Sequence, residues 1–158
     1  MTEVPLSGEK LELGDNSVGW LPCHIGIGTD IGSNCSIGAL AHIGRDVIIG
    51  DGCRLQGGCY IADKTLLGRG VFIGPNATIL NDRHPPSGGR WSPVEVAAGA
   101  VIGGGATIVA GVSIGENSVV AVGTTVTCDI PPGEVWAGVP ATYLMSRDEY
   151  ESRREQNG

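Results

Sequence analysis

Aromatic side chains are scarce: one Phe, three Trp and three Tyr stand in 158 residues. Globular sandwiches and bundles fill thick centres with such rings, so this composition suits a thin core. Positive charge is also short, with 10 Lys and Arg against 17 Asp and Glu and a net charge of −7. A nucleic-acid partner, which asks for a basic stripe, is therefore not expected. No apolar run approaches the ~20 residues needed to span a membrane. The opening Met1-Thr2-Glu3-Val4-Pro5 has neither a basic nor an apolar region, so no secretory signal is expected and the location is read as cytoplasmic. The length fits one domain with a single long core.

What the chain has instead is period. From Ile25 to Ile79, and again from Val96 to Val126, every sixth residue is aliphatic, sixteen positions in all. A helix repeats at 3.6 residues and a half-buried strand at 2, so neither yields a strict six-step grid. Short fixed repeats of this kind mark a parallel β-helix, in which each coil stacks on the one before. The residue after the aliphatic is small in most repeats, for example Gly26, Gly44, Gly74 and Gly103. Three after it stands Gly, Asn or Asp, with Leu40 and Lys64 the exceptions, and these types accept φ > 0. Four after it comes a small or β-branched residue such as Thr29, Val47 or Ala77. Each hexapeptide thus reads as a short flat strand ended by a tight turn.

The five cysteines fit the same grid. Cys23, Cys35, Cys53 and Cys59 occupy the small interior position, where Cys packs as a small apolar residue, and only Cys128 lies off it. No disulfide and no metal site are expected.

The whole pattern, over residues 19–142, resembles the hexapeptide-repeat acyltransferases. The resemblance implies an all-β, left-handed parallel β-helix with three hexapeptides per coil. Residues 25–79 would form about three coils and residues 96–131 about two more, after a weaker coil at Leu13–His24. The expected organisation is a β-helix domain over 1–142, with an external loop at about 80–95, and a short helical tail over 143–158. The family's left hand is taken from the resemblance, because the general crossover rule gives the opposite sense.

The loop is where the grid breaks. Seventeen residues separate Ile79 from Val96, not a multiple of six, and the segment holds three prolines, a Trp and several charges. Asn81-Asp82 resembles the opening of this loop in N-acetyltransferases of nucleotide-linked amino sugars. His84-Pro85 resembles the catalytic pair of saccharide O-acetyltransferases. Both imply a sugar acceptor, and they leave N- and O-acetylation open. Transfer from a thioester requires an amine or hydroxyl to lose a proton, and imidazole, which titrates near pH ~6.5, is the side chain suited to take it. His84 is accordingly expected as general base, with Asp82 orienting the ring or holding the acceptor and Asn81 hydrogen-bonding it. His24 and His42 end their repeats and are expected outward at corners, in surface roles.

The resemblance further implies acetyl-CoA as donor and a homotrimer whose active sites lie between subunits. By matching motifs, Gly104, Ala110, Gly111, Val122 and Thr127 would line the pantetheine arm. Cys128 and Thr142 stand where the family commonly carries cations facing the nucleotide phosphates, and Arg147 is the implied substitute, with Arg153 or Arg154 beside it. Two other readings are weighed. A non-catalytic structural or binding β-helix would suit the missing cations. A γ-class carbonic anhydrase shares the fold but needs two of its three zinc histidines five residues apart, and His24, His42 and His84 do not supply that pair.

Overall fold

The computed structural model describes residues 8–158; the N-terminal segment read for a signal, Met1 to Pro5, lies outside them. The chain forms a parallel β-solenoid of about seven turns with three flat faces. Face 1 is a nine-stranded sheet that runs from Glu9–Gly14 and Ser17–Leu21 to Glu134–Ala137 and Thr142–Ser146. Face 2 has six strands, from His24–Ile25 to Thr125–Val126, and face 3 has five, from Asp30–Ile31 to Ser113–Ile114. Most strands are two residues long: one points out and the next, the grid aliphatic, points in. Partners on a face are eighteen residues apart, as in Tyr60↔Thr78.

The grid aliphatics make one continuous interior column. Ile37, Ile43, Ile61, Ile73, Ile79, Ile102 and Ile108 have no exposed surface. Each such side chain contributes roughly 1.5–3 kcal/mol relative to leaving it in water. The second interior position, four after the aliphatic, is as tightly closed: Cys53, Ala77, Ala100 and Ala106 are all fully buried. Where that residue is polar, it mostly donates to a carbonyl of the stack, whereas the Thr124 hydroxyl accepts from Gly138 N. Ser17 Oγ reaches Gly32 O at 2.7 Å, and Thr29 Oγ1 reaches Gly44 O at 2.8 Å. Cys53 Sγ does the same toward Gly68 O at 3.0 Å.

The corners explain the small residues. A Cβ on Gly103 would stand 2.6 Å from Val122 N of the next coil, and one on Gly68 would stand 2.6 Å from Ala98 N. The third position after the aliphatic is left-handed as the residue types indicate. Leu40 (φ 62°) and Lys64 (φ 64°) adopt the same conformation although their side chains disfavour it. The coil geometry overrides the local preference there.

Both ends are closed by strand reversal. At the start, Asp15 and Asn16 (φ 47° and 61°) turn Glu9–Gly14 back antiparallel on Ser17–Leu21. Two positive-φ residues suit a two-residue hairpin. The weak coil expected at Leu13–His24 is therefore a first coil with a hairpin laid on its edge. At the other end Thr142–Ser146 pairs antiparallel with Glu134–Ala137. The helix Arg147–Asn157 follows, its N-terminus capped by the Ser146 hydroxyl, which accepts from Glu149 N.

The excursion is narrower than expected. Leu80 N still donates to Ile108 O, and Val94 is fully buried with its carbonyl accepting from Leu66 N. Val94 fills the small interior slot of its coil, and Glu95 already belongs to the strand Glu95–Val96. Only residues 81–93 leave the coil, at the corner between faces 2 and 3. Across them the partners Thr78↔Thr107 are twenty-nine rather than eighteen positions apart, an insertion of eleven residues.

Candidate active site

The loop is fastened to the solenoid along the corner between faces 2 and 3. Its base is closed by Ser92 N donating to Asn81 O at 2.7 Å. Toward the later coils, Arg83 Nη1 donates to Ala110 O at 3.2 Å, and Ser92 lies over Gly111. Toward the earlier coils, the Arg45 guanidinium stands 6.0 Å from the centre of the Trp91 ring. Arg45 is held in turn by Asp63, whose Oδ2 accepts from Nε and Nη2 at 3.0 and 2.8 Å. Asn81 Nδ2 makes a long contact of 3.5 Å to Asp63 O. The loop thus lies along the edge rather than projecting from it.

Asp82 folds the loop on itself. Its Oδ1 accepts from His84 N at 3.1 Å and its Oδ2 from Ser87 N at 2.9 Å. The Ser87 N–H is the main reason its carboxyl sits below the usual range; the N–H and charge of His84 add to this, against some desolvation. Asp63 is lowered too. Burial alone would raise it, but the Arg45 backbone N–H, guanidinium and charge outweigh that, with His42 adding a little.

The three loop residues expected in catalysis are therefore together, with a particular division of work. His84 is exposed, and its imidazole makes no hydrogen bond among the described residues. Asp82 grips the backbone of the loop, not the ring. Asn81 sits at the loop base against the coil.

The expected donor residues fall into three places. Gly104 and Val122 lie on the corner between faces 1 and 2, where Val122 is 80% exposed. Ala110, Gly111 and Thr127 lie on the corner between faces 2 and 3, and Ala110 is fully buried beneath the loop. Between these edges face 2 presents only threonines, Thr78, Thr107 and Thr125. Rims of mostly small residues thus flank a flat strip of short hydroxyl side chains, along which a slender flexible chain meets no bulky side chain. Arg147 stands apart on the corner between faces 3 and 1. Its Nε is bonded to Glu151 Oε1 at 2.6 Å and its Nη1 to Asn117 O at 3.1 Å.

His24 and His42 are not at corners. Both are outward residues on the flat of face 2, stacked on each other and on Tyr60 with ring centroids 4.5 and 4.9 Å apart. The hexapeptide count had placed them one step too near the turn. Sequence reasoning also passed over Tyr60, Arg45 and Asp63; the eighteen-residue recurrence His24, His42, Tyr60 was the available signal. Among the described residues no three His, Cys, Asp or Glu side chains gather as a metal site would require. Nor is any described helix long and apolar enough to cross a membrane.

A concavity of about 760 Å³ lies on face 3 between Ile48, Leu66, Ser113 and Pro131, away from the threonine strip of face 2. The loop chemistry and the small-residue rims point to face 2 as the candidate site, since the face 3 groove holds no histidine or other base beyond Glu95, Glu116 and Asp129.

Comparison with known proteins agrees with the coil reading. Residues 28–63 match the bacterial transferase hexapeptide (six repeats), and residues 93–128 match the hexapeptide repeat of succinyl-transferase. A 2,3,4,5-tetrahydropyridine-2,6-dicarboxylate N-acetyltransferase of Staphylococcus aureus is 35% identical over 89 residues, 56% of this chain and 36% of its own. The chain thus spans about a third of the curated relatives it matches. The hexapeptide-repeat containing acetyltransferase VCA0836 of Vibrio cholerae, solved with acetyl coenzyme A, superposes with a TM-score of 0.60 at 26% identity. That match covers 78% of this chain and 70% of the other. PerB of Caulobacter crescentus, solved with CoA and GDP-perosamine, shares the fold with a TM-score of 0.73 at 24% identity, over 82% of this chain and 57% of the other. On its repeats, its coils and these matches, the chain carries the hexapeptide repeats of bacterial transferases over residues 28–63 and 93–128, in a fold similar to that of the solved hexapeptide-repeat acetyltransferases.

Proposed function

We propose that the protein is an acetyl-CoA-dependent acetyltransferase with a sugar acceptor, and that His84 is its general base. The observation that carries this reading is the placement of an exposed, unbonded imidazole on a loop clamped beside the threonine strip of face 2. In this reading the pantetheine arm runs along face 2, between the Gly104–Val122 rim and the rim of Gly111 and Thr127. The Vibrio cholerae acetyltransferase, solved with acetyl coenzyme A over a comparable span of coils, supports that choice of donor. The acceptor nitrogen or hydroxyl attacks the thioester carbonyl while His84 takes its proton. Backbone N–H groups of the coil stabilise the oxyanion, and the proton passes to the departing thiolate.

Asp82 acts by fixing the backbone of residues 84 and 87, and Asn81 by anchoring the loop base and meeting the acceptor. The strip has no wall of its own, so a wall over it must come from another subunit; a homotrimer, each interface holding one site, is the assembly proposed. Arg147 reaches the nucleotide phosphates only across such an interface and only by leaving Glu151. A cytoplasmic location accords with a CoA-dependent reaction.

Calorimetric titration with acetyl-CoA, with dephospho-CoA as comparison, tests the donor. About one site per subunit is expected, followed by thiol release when amino sugars or saccharides are supplied. Absence of acetyl-CoA binding would overturn the reading and leave a non-catalytic β-helix in its place.

A further inference from the structure

The outward column of face 2 reads His24, His42, Tyr60, Thr78, Thr107, Thr125. Its first three rings are nearly parallel, with interplanar angles of 13° and 10°. Their centroid separations of 4.5 and 4.9 Å match the strand spacing of about 4.8 Å. The rings therefore stand one per rung with faces toward their neighbours, and only their edges meet solvent sideways. The exceptions are the two ends of the stack: His24 stands on the edge strand of the sheet, and Tyr60 is the end that faces the loop. One face of Tyr60 is covered by His42, and the other is turned to the rung of Thr78, whose side chain is too small to cover it. Tyr60 is 43% exposed.

From this geometry we infer that the uncovered face of Tyr60 is the floor of the acceptor site, and that a pyranose ring stacks there above Thr78. The proposal rests on the acetyltransferase reading only for the role of that ring. Three features of the shelf select the ligand. The distance from the Tyr60 rung to the Thr107 rung is two strand spacings, about 9.6 Å, which seats one saturated ring with about 4.8 Å on either side. The negative face of the aromatic ring favours the polarised C–H bonds of a pyranose. The shelf also opens onto the loop base, where Asn81 lies against the Asp63 carbonyl three residues beyond Tyr60. A ring held there projects its equatorial substituents toward residues 81–84. Donor and acceptor then share face 2, with the threonine strip above the Thr78 rung and the ring stack below it.

The probe is D-glucosamine, followed by saturation-transfer NMR on the protein with CoA present. Saturation of the sugar ring protons, lost in Tyr60→Ala and kept in Tyr60→Phe, is the expected result. Affinity should fall about tenfold in Tyr60→Ala, the factor equivalent to roughly 1.4 kcal/mol of stacking. Thr78→Tyr, which continues the ring ladder into the shelf, should abolish the signal, while His24→Ala, two rungs away, should leave it unchanged. All three positions point outward, so thermal unfolding of the four variants should stay near that of the parent protein. No saturation in the parent protein, or equal saturation in Tyr60→Ala, overturns the proposal. Acetyl-CoA titration of the same samples separates the two ideas. Donor binding without a Tyr60-dependent sugar signal removes the shelf alone, and a Tyr60-dependent signal without donor binding removes the acetyltransferase reading alone.

Discussion

Three successive glycines, Gly103, Gly104 and Gly105, sit on one corner and should respond to alanine in three different ways. At Gly103 the new Cβ would stand 2.6, 2.7 and 2.8 Å from Val122 N, Ala121 C and Val120 O. Ordinary contact begins at 3.4 Å, and all three neighbours are backbone, so the coils must part by about 0.8 Å. Overpacking of this kind costs about 3 kcal/mol. At Gly104 the nearest atoms belong to Pro75 at 3.3 and 3.4 Å and φ is unrestricted, so the change should stay within about 0.5 kcal/mol. At Gly105 the space is open but φ is 66°, and the cost is that of an L-residue in the left-handed region, about 1 kcal/mol. Urea unfolding followed by far-UV circular dichroism, at one protein concentration, reads these values. With a slope of about 2 kcal/mol/M, Gly103→Ala lowers the midpoint by about 1.5 M. The donor reading adds a second readout, because Gly104→Ala should weaken acetyl-CoA binding while barely touching stability. Equal midpoints for Gly103→Ala and Gly104→Ala would refute the claim that inter-coil contact dictates glycine.

His84→Ala should lower turnover by about 10²–10⁴ with the fold intact, and a loss no larger than that of His42→Ala would remove His84 as base. Asp82 and Asp63 are held below the ordinary carboxyl value of 3.8, so their contribution is complete above it and is lost as pH falls through the lower folded-state values. In a protein with Trp20 and Trp136 replaced by Phe, Trp91 fluorescence should change only in that acid range, and a transition near neutrality would contradict the clasp. Burial pushes Cys53 and Cys59 up to about 11. Ellman's reagent at pH 8 should accordingly titrate exposed Cys128 first and reach Cys53 and Cys59 only after unfolding; equal rates would refute the burial argument.

The coils were legible because every one of them imposes the same three demands on sequence: an aliphatic inward, a small residue at the corner, a left-handed turn after it. Repetition averages out the exceptions, so Leu40 and Lys64 could be wrong in type without obscuring the pattern. The helix was legible from its run of charges, but it begins only at Arg147, four residues into the tail expected over 143–158, because Thr142–Ser146 is taken up as a closing strand. The hairpins at the two ends were not legible, since each occurs once. The loop was visible as a break in period, yet its true limits depend on Val94 turning inward, which a grid anchored on Val96 does not reveal. Contacts within the site were harder still. Asp82 bonds the backbone nitrogens of His84 and Ser87, and no spacing rule distinguishes that from a bond to the imidazole.

A solenoid constrains where function can sit. Its interior is a column of aliphatics, and each rung is hydrogen-bonded above and below, so a reactive side chain cannot come from inside. Chain can be added only at a corner, where leaving and re-entering disturbs no ladder, and the insertion of residues 81–93 does this between Leu80 and Val94. Outward positions on a face recur every eighteen residues and so fall into columns, mixed in type on face 3, where Asp30, Ile48, Leu66, Glu95 and Ser113 follow one another. The column of face 2 has rings below and threonines above, and the loop crosses the edge where the two kinds meet. The change from Tyr60 to Thr78 is thus a one-rung boundary in an otherwise uniform stack, placed beside the one segment that breaks the repeat. Two independent departures from periodicity at the same level of the solenoid locate the site more firmly than either does alone.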